Sequence, residues 1–403
     1  MARSALELIA PDKKKHAVKL YDLIGKVFSG SGGYYRFRDL CRTNYIGRSH
    51  YDWETSRIGI LDGTIVTHYG VWGYGMRIGS GVVRCAGVGA VATSADHRKR
   101  GFMKETALAS MAAMREAGYD MSILFGIRDF YDKYGYVRAW SRISDTVNVG
   151  RLGKERPSHR VLKMSNLARE DVREIYTREH ARLTGTAVRP TYLSPGGAWC
   201  RWGGWRWVDR RGRTLGYVTG QAKDREFECY EVGGDADEAL RVLVMLARRH
   251  GCREVKFVDV HEKTPIIRKV RRGDCTTTVN RHKNGGPMMC TINLESSLRK
   301  MCRELSRRLR QSPLANWRGK LVVADSRDKV TLAITGGRVT VAKPAKTKHA
   351  IRGGDEIVQL LIGTQEPEET VDAAGMRLRG DARKLLPVLF PDECPRLCPW
   401  DGM

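Results

Sequence analysis

The 403-residue chain has no run of about 18 apolar residues, the length a helix needs to cross a bilayer, so a membrane span is not expected. Its opening, MARSALELIAPDKKKHAVKL, lacks an apolar core followed by a small-residue cleavage site, which argues against a secretory leader. Framed cysteines are missing too. The ten cysteines are scattered, and only Cys394 and Cys398, in CPRLC, stand close together. Zinc would need two further ligands near them, so they read as ordinary thiols, reduced in a cytoplasm, and no metal is expected. Acid is scarce relative to base: Asp and Glu number 45 against 71 Lys and Arg, a formal net charge of +26. Such an excess points to an anionic partner, whether nucleic acid, an anionic surface or a phosphorylated ligand. The alternative is base dispersed over every face. The recurrence of Arg and Lys throughout, as in ARRHGCREVK and LSRRLRQS, favours the second.

What is present is a repeated order of elements. RIGILDGTIVTHYGVW places Asp62-Gly63 between two β-rich runs, a hairpin signal, and MRIGSGVVRCAGVGAVAT holds a second turn. The Ala-rich KETALASMAAMREAG follows, with Ala107, Leu108, Met111 and Met114 at helical spacing and Gly118 as its stop. YDMSILFGI is then a short strand. The order returns in EFECYEV, GGDADEALRVLVMLARRHG and CREVKFVDV, where Asp235 and Glu238 form a capping-box pair and Gly251 ends the helix. Residues of about 156 to 290 thus read as a degenerate second copy of the first unit. After GGPMMCTINLESSLRKM the character changes. A helix in LESSLRKMCRELSRRL leads to LVVADSRDKVTLAITGGRVTVAK, which turns at Gly336-Gly337, then to helical DEIVQLLIG and DARKLLPVLF. The expected architecture is α/β and α+β, with domains over 1–150, 151–292 and 293–403.

The stretch VATSADHRKRGFM, Val91 to Met103, carries the sharpest chemical signal. Three bases precede a glycine at the mouth of a helix. A helix start presents unpaired N–H groups and partial positive charge, where phosphates bind readily. Gly101 lets backbone approach closely, and Arg98, Lys99 and Arg100 add cationic donors. The preceding strand can offer its backbone to an extended ligand. A solvated surface run is the competing reading. The second copy has acidic GGDAD in the equivalent place, so phosphate binding there is not expected.

This stretch resembles the acetyl-CoA motif of the GNAT acetyltransferases, R/Q-x-x-G-x-G/A: Arg98 and Gly101 match, while Met103 departs from the small last residue. DFYDKYGYV, beginning at Asp129, resembles the strand-end segment of one GNAT branch, the enhanced intracellular survival (Eis) acetyltransferases. The likeness runs over nearly the whole chain. GYVTG and the PMMCTINLESSL boundary fit that branch's second and third domains. It implies two GNAT (acyl-CoA N-acyltransferase) domains, the second without a CoA motif, followed by an α+β domain like sterol carrier protein 2 (SCP2).

The resemblance also implies roles. The pantetheine arm of acetyl-CoA, the co-substrate, would lie along Val91, Ala92 and Thr93. Its pyrophosphate would sit over Lys99, Arg100, Gly101, Phe102, Met103 and Lys104, with Arg98 beside it, and a further contact would come from Gly126 and Ile127. Tyr131 aligns with the general acid that protonates the departing thiolate. The general base would be the terminal carboxylate of Met403, with Asp401 as an alternative. The implied activity is N-acetylation of an amine, the acceptor being a small-molecule amine, an aminoglycoside-like compound or a lysine side chain. The family forms homo-oligomers, often hexamers.

Two other readings stay open at this point. The Trp-rich WCRWGGWRW, Trp199 to Trp207, could stack nucleic-acid bases between arginines, or could pack a sheet or domain interface. The third domain could carry lipid, which would need a large apolar pocket near residues 321 to 390.

Overall fold

The structure is a computed structural model that describes residues 5–31, 33–47, 49–153, 155–164, 170–189 and 204–402. Its first part runs β1 (Glu7–Ile9), α1 (Lys13–Val27), α2 (Tyr34–Leu40), β2 (Arg57–Leu61), β3 (Thr64–Ile78), β4 (Gly81–Thr93), α3 (Phe102–Glu116), β5 (Met121–Gly126) and β6 (Val137–Arg138). Local chemistry sets the joints. Asp12 caps α1 by accepting from the N–H groups of Lys14 and Lys15, both at 2.8 Å. Asp62 and Gly63 have φ of 49° and 73°, the pair of left-handed residues that a type I′ hairpin between β2 and β3 requires. Gly118, at φ 76°, ends α3 as its sequence position predicts.

The second part contains β7 (Arg142–Asn148), β8 (Arg160–Met164), α4 (Glu170–Glu179), β9 (Ala187–Val188), β10 (Gly204–Val208), β11 (Thr214–Lys223), β12 (Glu226–Gly233), α5 (Ala236–Arg249), β13 (Glu254–Val258), α6 (Pro265–Val270) and β14 (Thr276–Asn280). The third continues as β15 (Gly286–Thr291), α7 (Leu294–Arg310), β16 (Gly319–Ala324), β17 (Lys329–Thr335), β18 (Arg338–Ala342), β19 (His349–Arg352), α8 (Ile357–Ile362), α9 (Pro367–Ala373), β20 (Arg377–Arg379) and α10 (Ala382–Leu389).

Three sheets result. An eight-stranded sheet has the order β1-β2-β3-β4-β5-β15-β6, with β9 on β3; a seven-stranded sheet has the order β14-β7-β13-β12-β11-β10-β8; a five-stranded sheet has the order β18-β17-β16-β19-β20. Sheet membership does not follow the expected bounds at 150 and 292. β7 belongs to the second sheet, where it pairs with β13, and β15 inserts into the first between β5 and β6. The internal repeat is visible in the pairing: β4 is parallel to β5 across α3, and β12 is parallel to β13 across α5.

One face of the first sheet packs on α3 through Met103, Ala107, Met111 and Met114. Leu108, expected on that stripe, is 47% exposed, because the buried face of α3 turns toward Thr106 and Ser110 instead. The opposite face shares a core with the third sheet. There α7 inserts Leu294, Leu298, Met301, Leu305 and Leu309, spaced at helical intervals, against Tyr74, Met76 and Val83. The interior a lipid would need is occupied, since Leu321, Val323, Leu332, Ile334, Ile351 and Leu385 are all buried in that same core. In the second sheet α5 covers one face and α4 the other. The capping box at α5 is half formed: Asp235 accepts from Glu238 N at 2.9 Å, but the Glu238 carboxylate turns away and accepts from His159 N.

Candidate active site

The site begins where two parallel strands part. β4 and β5 are paired from Cys85–Met121 to Val88–Leu124 and no further. Beyond Val88, β4 runs on to Thr93 with β3 as its partner. A bulge marks the same place. His68 pairs with Ala92 but Gly70 pairs with Gly89, so β4 carries one residue more than β3, and Ala90 adopts φ 47°. A bulge leaves a residue out of the ladder and re-aims the backbone around it. Buried groups hold it in place. His68 Nδ1 lies 2.8 Å from the Ala90 carbonyl and its Nε2 lies 2.8 Å from Tyr51 Oη. Burial lowers the His68 pKa to about 4, so the ring is neutral. Because a carbonyl only accepts, Nδ1 donates to Ala90 and Nε2 accepts from the tyrosine. The Ala90 N–H in turn points at the Tyr45 hydroxyl oxygen.

After β4 the chain curls over the mouth of α3. Lys99 and Gly101 both have positive φ, 60° and 87°. Gly101 is the N-cap of α3 and supplies no side-chain cap. The first N–H groups of the helix therefore point outward into a cleft of about 500 Å³. Val91 and Thr93 line one wall, residues 97–104 another, and Ile127, Phe130, Tyr131 and Tyr134 a third. All its charged lining residues are basic: Arg98, Lys99, Arg100, Lys104 and Lys133. Arg98 Nε donates to the Thr93 carbonyl at 3.4 Å, and the Arg100 guanidinium lies over the Phe102 ring at 4.8 Å. The Met103 side chain is buried with the α3 core, which explains how a large residue is accommodated at the last motif position.

Tyr131 stands at the inner end of the cleft, ringed by Phe130, Tyr134 and Tyr136 with centroids 4.8, 6.4 and 6.2 Å away. Burial pushes its hydroxyl up to about 12, helped by Tyr134, so it is protonated at neutral pH. Among the described residues no group hydrogen-bonds to its hydroxyl.

The cleft brings together Val91, Thr93, Arg98, Lys99, Arg100, Gly101, Phe102, Met103, Lys104, Ile127 and Tyr131 of the residues expected from sequence. Two stand apart. Ala92 is 1% exposed and its side chain packs toward α1. Gly126 lies under the Tyr131 ring, where an added Cβ would come 2.6 Å from Tyr131 Cδ2. Met403 is outside the described residues. Its neighbour Gly402 lies beside Phe125 of β5, with an added Cβ 3.4 Å from that ring. Asp401, the alternative base, is 1% exposed and bound by Arg189, so it is not placed to take a proton from an acceptor. His68, Tyr51 and Tyr45, which brace the bulge, gave no pattern in the sequence; nothing in residue spacing links positions 45, 51 and 68 to a strand at 90.

Half of the Trp-rich stretch also has a place. Trp207 is buried in the second core and Trp205 lies against Phe227 at 5.8 Å, so these two pack a sheet. Trp199 and Trp202 lie outside the described residues.

A splayed strand pair, a bulge beside it and a basic, glycine-initiated helix mouth thus meet at one cleft. Residues 10–139 match the family described as Acetyltransferase (GNAT) domain. Over nearly its full length the chain shares its fold with several solved structures. A GCN5-related N-acetyltransferase from Anabaena variabilis superposes with a TM-score of 0.75 at 14% identity, covering 98% of this chain and 99% of that one. A probable N-acyltransferase from Enterococcus faecalis gives 0.73 at 16% identity, with the same coverage of 98% and 99%. Eis1 from Mycobacterium abscessus gives 0.65 at 14% identity, covering 96% and 97%. No curated protein matches the sequence.

Proposed function

We propose that the chain transfers the acetyl group of acetyl-CoA to an amine nitrogen, with the cleft at residues 91–104 as the co-substrate site. The observation that carries this reading is the union, in one cleft, of an uncapped helix mouth, exclusively basic charge and the Tyr131 hydroxyl. Val91, Ala92 and Thr93 hold the pantetheine arm through backbone groups. The N–H groups that open α3, with Arg98, Lys99, Arg100 and Lys104, hold the pyrophosphate. Gly126 serves the site by leaving room for Tyr131, and Ile127 borders the cleft.

In the reaction the neutral amine attacks the thioester carbonyl, the C–N bond forms and the C–S bond breaks. The developing oxyanion is stabilised by N–H groups of the bulged β4. The thiolate leaves with a hydrogen bond or proton from Tyr131, and the amine loses its proton to the base, which we assign to the carboxylate of Met403. A cysteine-type thiol has a pKa of about 8.5 in water, so Tyr131 near 12 is the weaker acid there. The same burial that raises Tyr131 raises the thiolate, which narrows that gap. The acceptor is an amine of the small-molecule, aminoglycoside-like or lysine type. The SCP2-like third domain has a scaffolding role in this reading, the chain works as a homo-oligomer in the cytoplasm, and nucleic acid is not its ligand.

The test is acetyl transfer followed by release of free thiol, with a panel of primary amines. Thiol release that depends on the amine and is lost in Tyr131→Phe supports the proposal. Amine-independent thioester hydrolysis alone contradicts it.

A further inference from the structure

The segment from Asp129 to Arg138 is a wall with two sides. Phe130, Tyr131, Lys133 and Tyr134 line the basic cleft, whereas Asp129, Asp132, Tyr136 and Arg138 line a second cavity of about 440 Å³. The rest of that cavity comes from Lys283 and Asn284, which precede β15, and from Glu356 and Gln365, which flank α8. It therefore lies at the junction of the first and third parts of the chain, a common position for small-molecule sites. Its frame is fixed. Gln359 Nε2 donates to the Arg138 carbonyl at 2.8 Å, and Thr364 Oγ1 donates to the Ala139 carbonyl at 2.6 Å. Tyr136 Oη lies 2.7 Å from Ser122 Oγ.

Arg138 is the unusual member. Its Nη2 donates to Gln365 Oε1, but its Nε is buried and has no partner, and among the described residues no carboxylate forms an ion pair with it. Burial, and then the like charge of Arg281, push its pKa down, against a smaller upward pull from Glu369. A cation withdrawn from water without a counter-charge costs stability, and a bound carboxylate offsets that cost. The rest of the lining has the opposite character. Asp129, Asp132 and Glu356 supply three carboxylates, against Arg138 and Lys283 as the only bases. Asn284 Nδ2 donates to one oxygen of Asp129 at 2.8 Å, and among the described residues none of the three acids is ion-paired. In a chain of net charge +26 this is a local reversal of sign. It repels phosphates and other polyanions and attracts ammonium groups.

We propose that this cavity is a second ligand site, which takes a free amino acid with a cationic side chain: its carboxylate on the Arg138 guanidinium, its two cationic groups toward Asp129, Asp132 and Glu356. The single anion meets the unpaired base, and the two cations meet the surplus of acid. The site is separate from the basic cleft and does not require the reaction proposed there.

The test is calorimetric titration of L-lysine into the full-length protein, with cadaverine, which is lysine without its carboxylate, as the control. One site is expected, with cadaverine bound at least about tenfold more weakly, the loss that follows from removing a charge-assisted hydrogen bond. Arg138→Gln keeps a polar side chain but removes the charge, and should weaken L-lysine by about tenfold or more for the same reason. The double variant Asp132→Asn/Glu356→Gln changes an exposed and a half-exposed side chain, so it serves should the Arg138 variant fail to fold. It should weaken L-lysine about fivefold. Saturating coenzyme A, which occupies the other side of the wall, should leave the affinity for L-lysine within about twofold. No saturable binding of L-lysine overturns the proposal, as does equal binding of cadaverine. Wild-type affinity in either folded variant, or displacement of L-lysine by coenzyme A, puts the ligand elsewhere and overturns it as well.

Discussion

Gly126 stands directly beneath Tyr131, and a methyl group at that position would come 2.6 Å from Cδ2 of the tyrosine ring. No real Cβ contact is that short, so the ring would have to move. Gly126→Ala should lower kcat more than tenfold while changing acetyl-CoA affinity less than threefold. Steady-state kinetics alongside calorimetric titration separates the two effects. A parallel loss of affinity would show instead that Gly126 itself contacts the co-substrate.

Tyr131→Phe removes one hydroxyl and leaves the aromatic ring packed among Phe130, Tyr134 and Tyr136. A general acid contributes about 10²- to 10⁴-fold, so kcat should fall within that range with the melting temperature nearly unchanged. The pH profile offers a second check. With the hydroxyl near 12, the wild-type rate should show no alkaline fall attributable to Tyr131 below about pH 11. A falling limb near pH 8 to 9 that vanishes in the phenylalanine variant would contradict this.

Acid should destabilise the first sheet before its carboxylates titrate. Burial holds His50 and His68 near 4, against the 6.5 of a free imidazole. Between those values the unfolded chain binds protons that the folded chain refuses. The stability these groups contribute is thus complete above pH 6.5 and is lost as the pH falls to 4. Glu231 extends the loss in the second sheet. Burial alone would raise it, but Arg189, Cys398 and Tyr217 bring it down to about 2, so its contribution goes between pH 4.5 and 2. Thermal melts from pH 7 to 4 should fall steadily, and His68→Gln should flatten that slope.

The elements that could be read from sequence were those whose chemistry is local. The Asp62-Gly63 hairpin, the glycine stop at Gly118 and the basic mouth of α3 each follow from a few adjacent residues. What escaped depended on distant partners. Leu108 fits the helical stripe by spacing, but the sheet under α3 selects a neighbouring face. Glu238 fits a capping box, yet the His159 backbone claims its carboxylate. β15 pairs with β5 and β6, which lie some 150 residues earlier in the chain, and periodicity cannot show that. Within the candidate site, the cation loop and Tyr131 were legible. The brace of Tyr51 and His68 under Ala90, and the hold of Arg189 on Asp401, exist only once the sheets are assembled.

The most direct test of the account is calorimetric titration of acetyl-CoA into the wild-type chain and into the double variant Arg98→Ala/Arg100→Ala, each at low and high salt. The account predicts one site, weakened about tenfold or more by the double substitution as charge-assisted contacts to phosphate are lost, and a smaller salt dependence in the variant. An unchanged affinity in the variant, or no binding by the wild-type chain, would contradict it and return the basic stretch to an ordinary solvated surface.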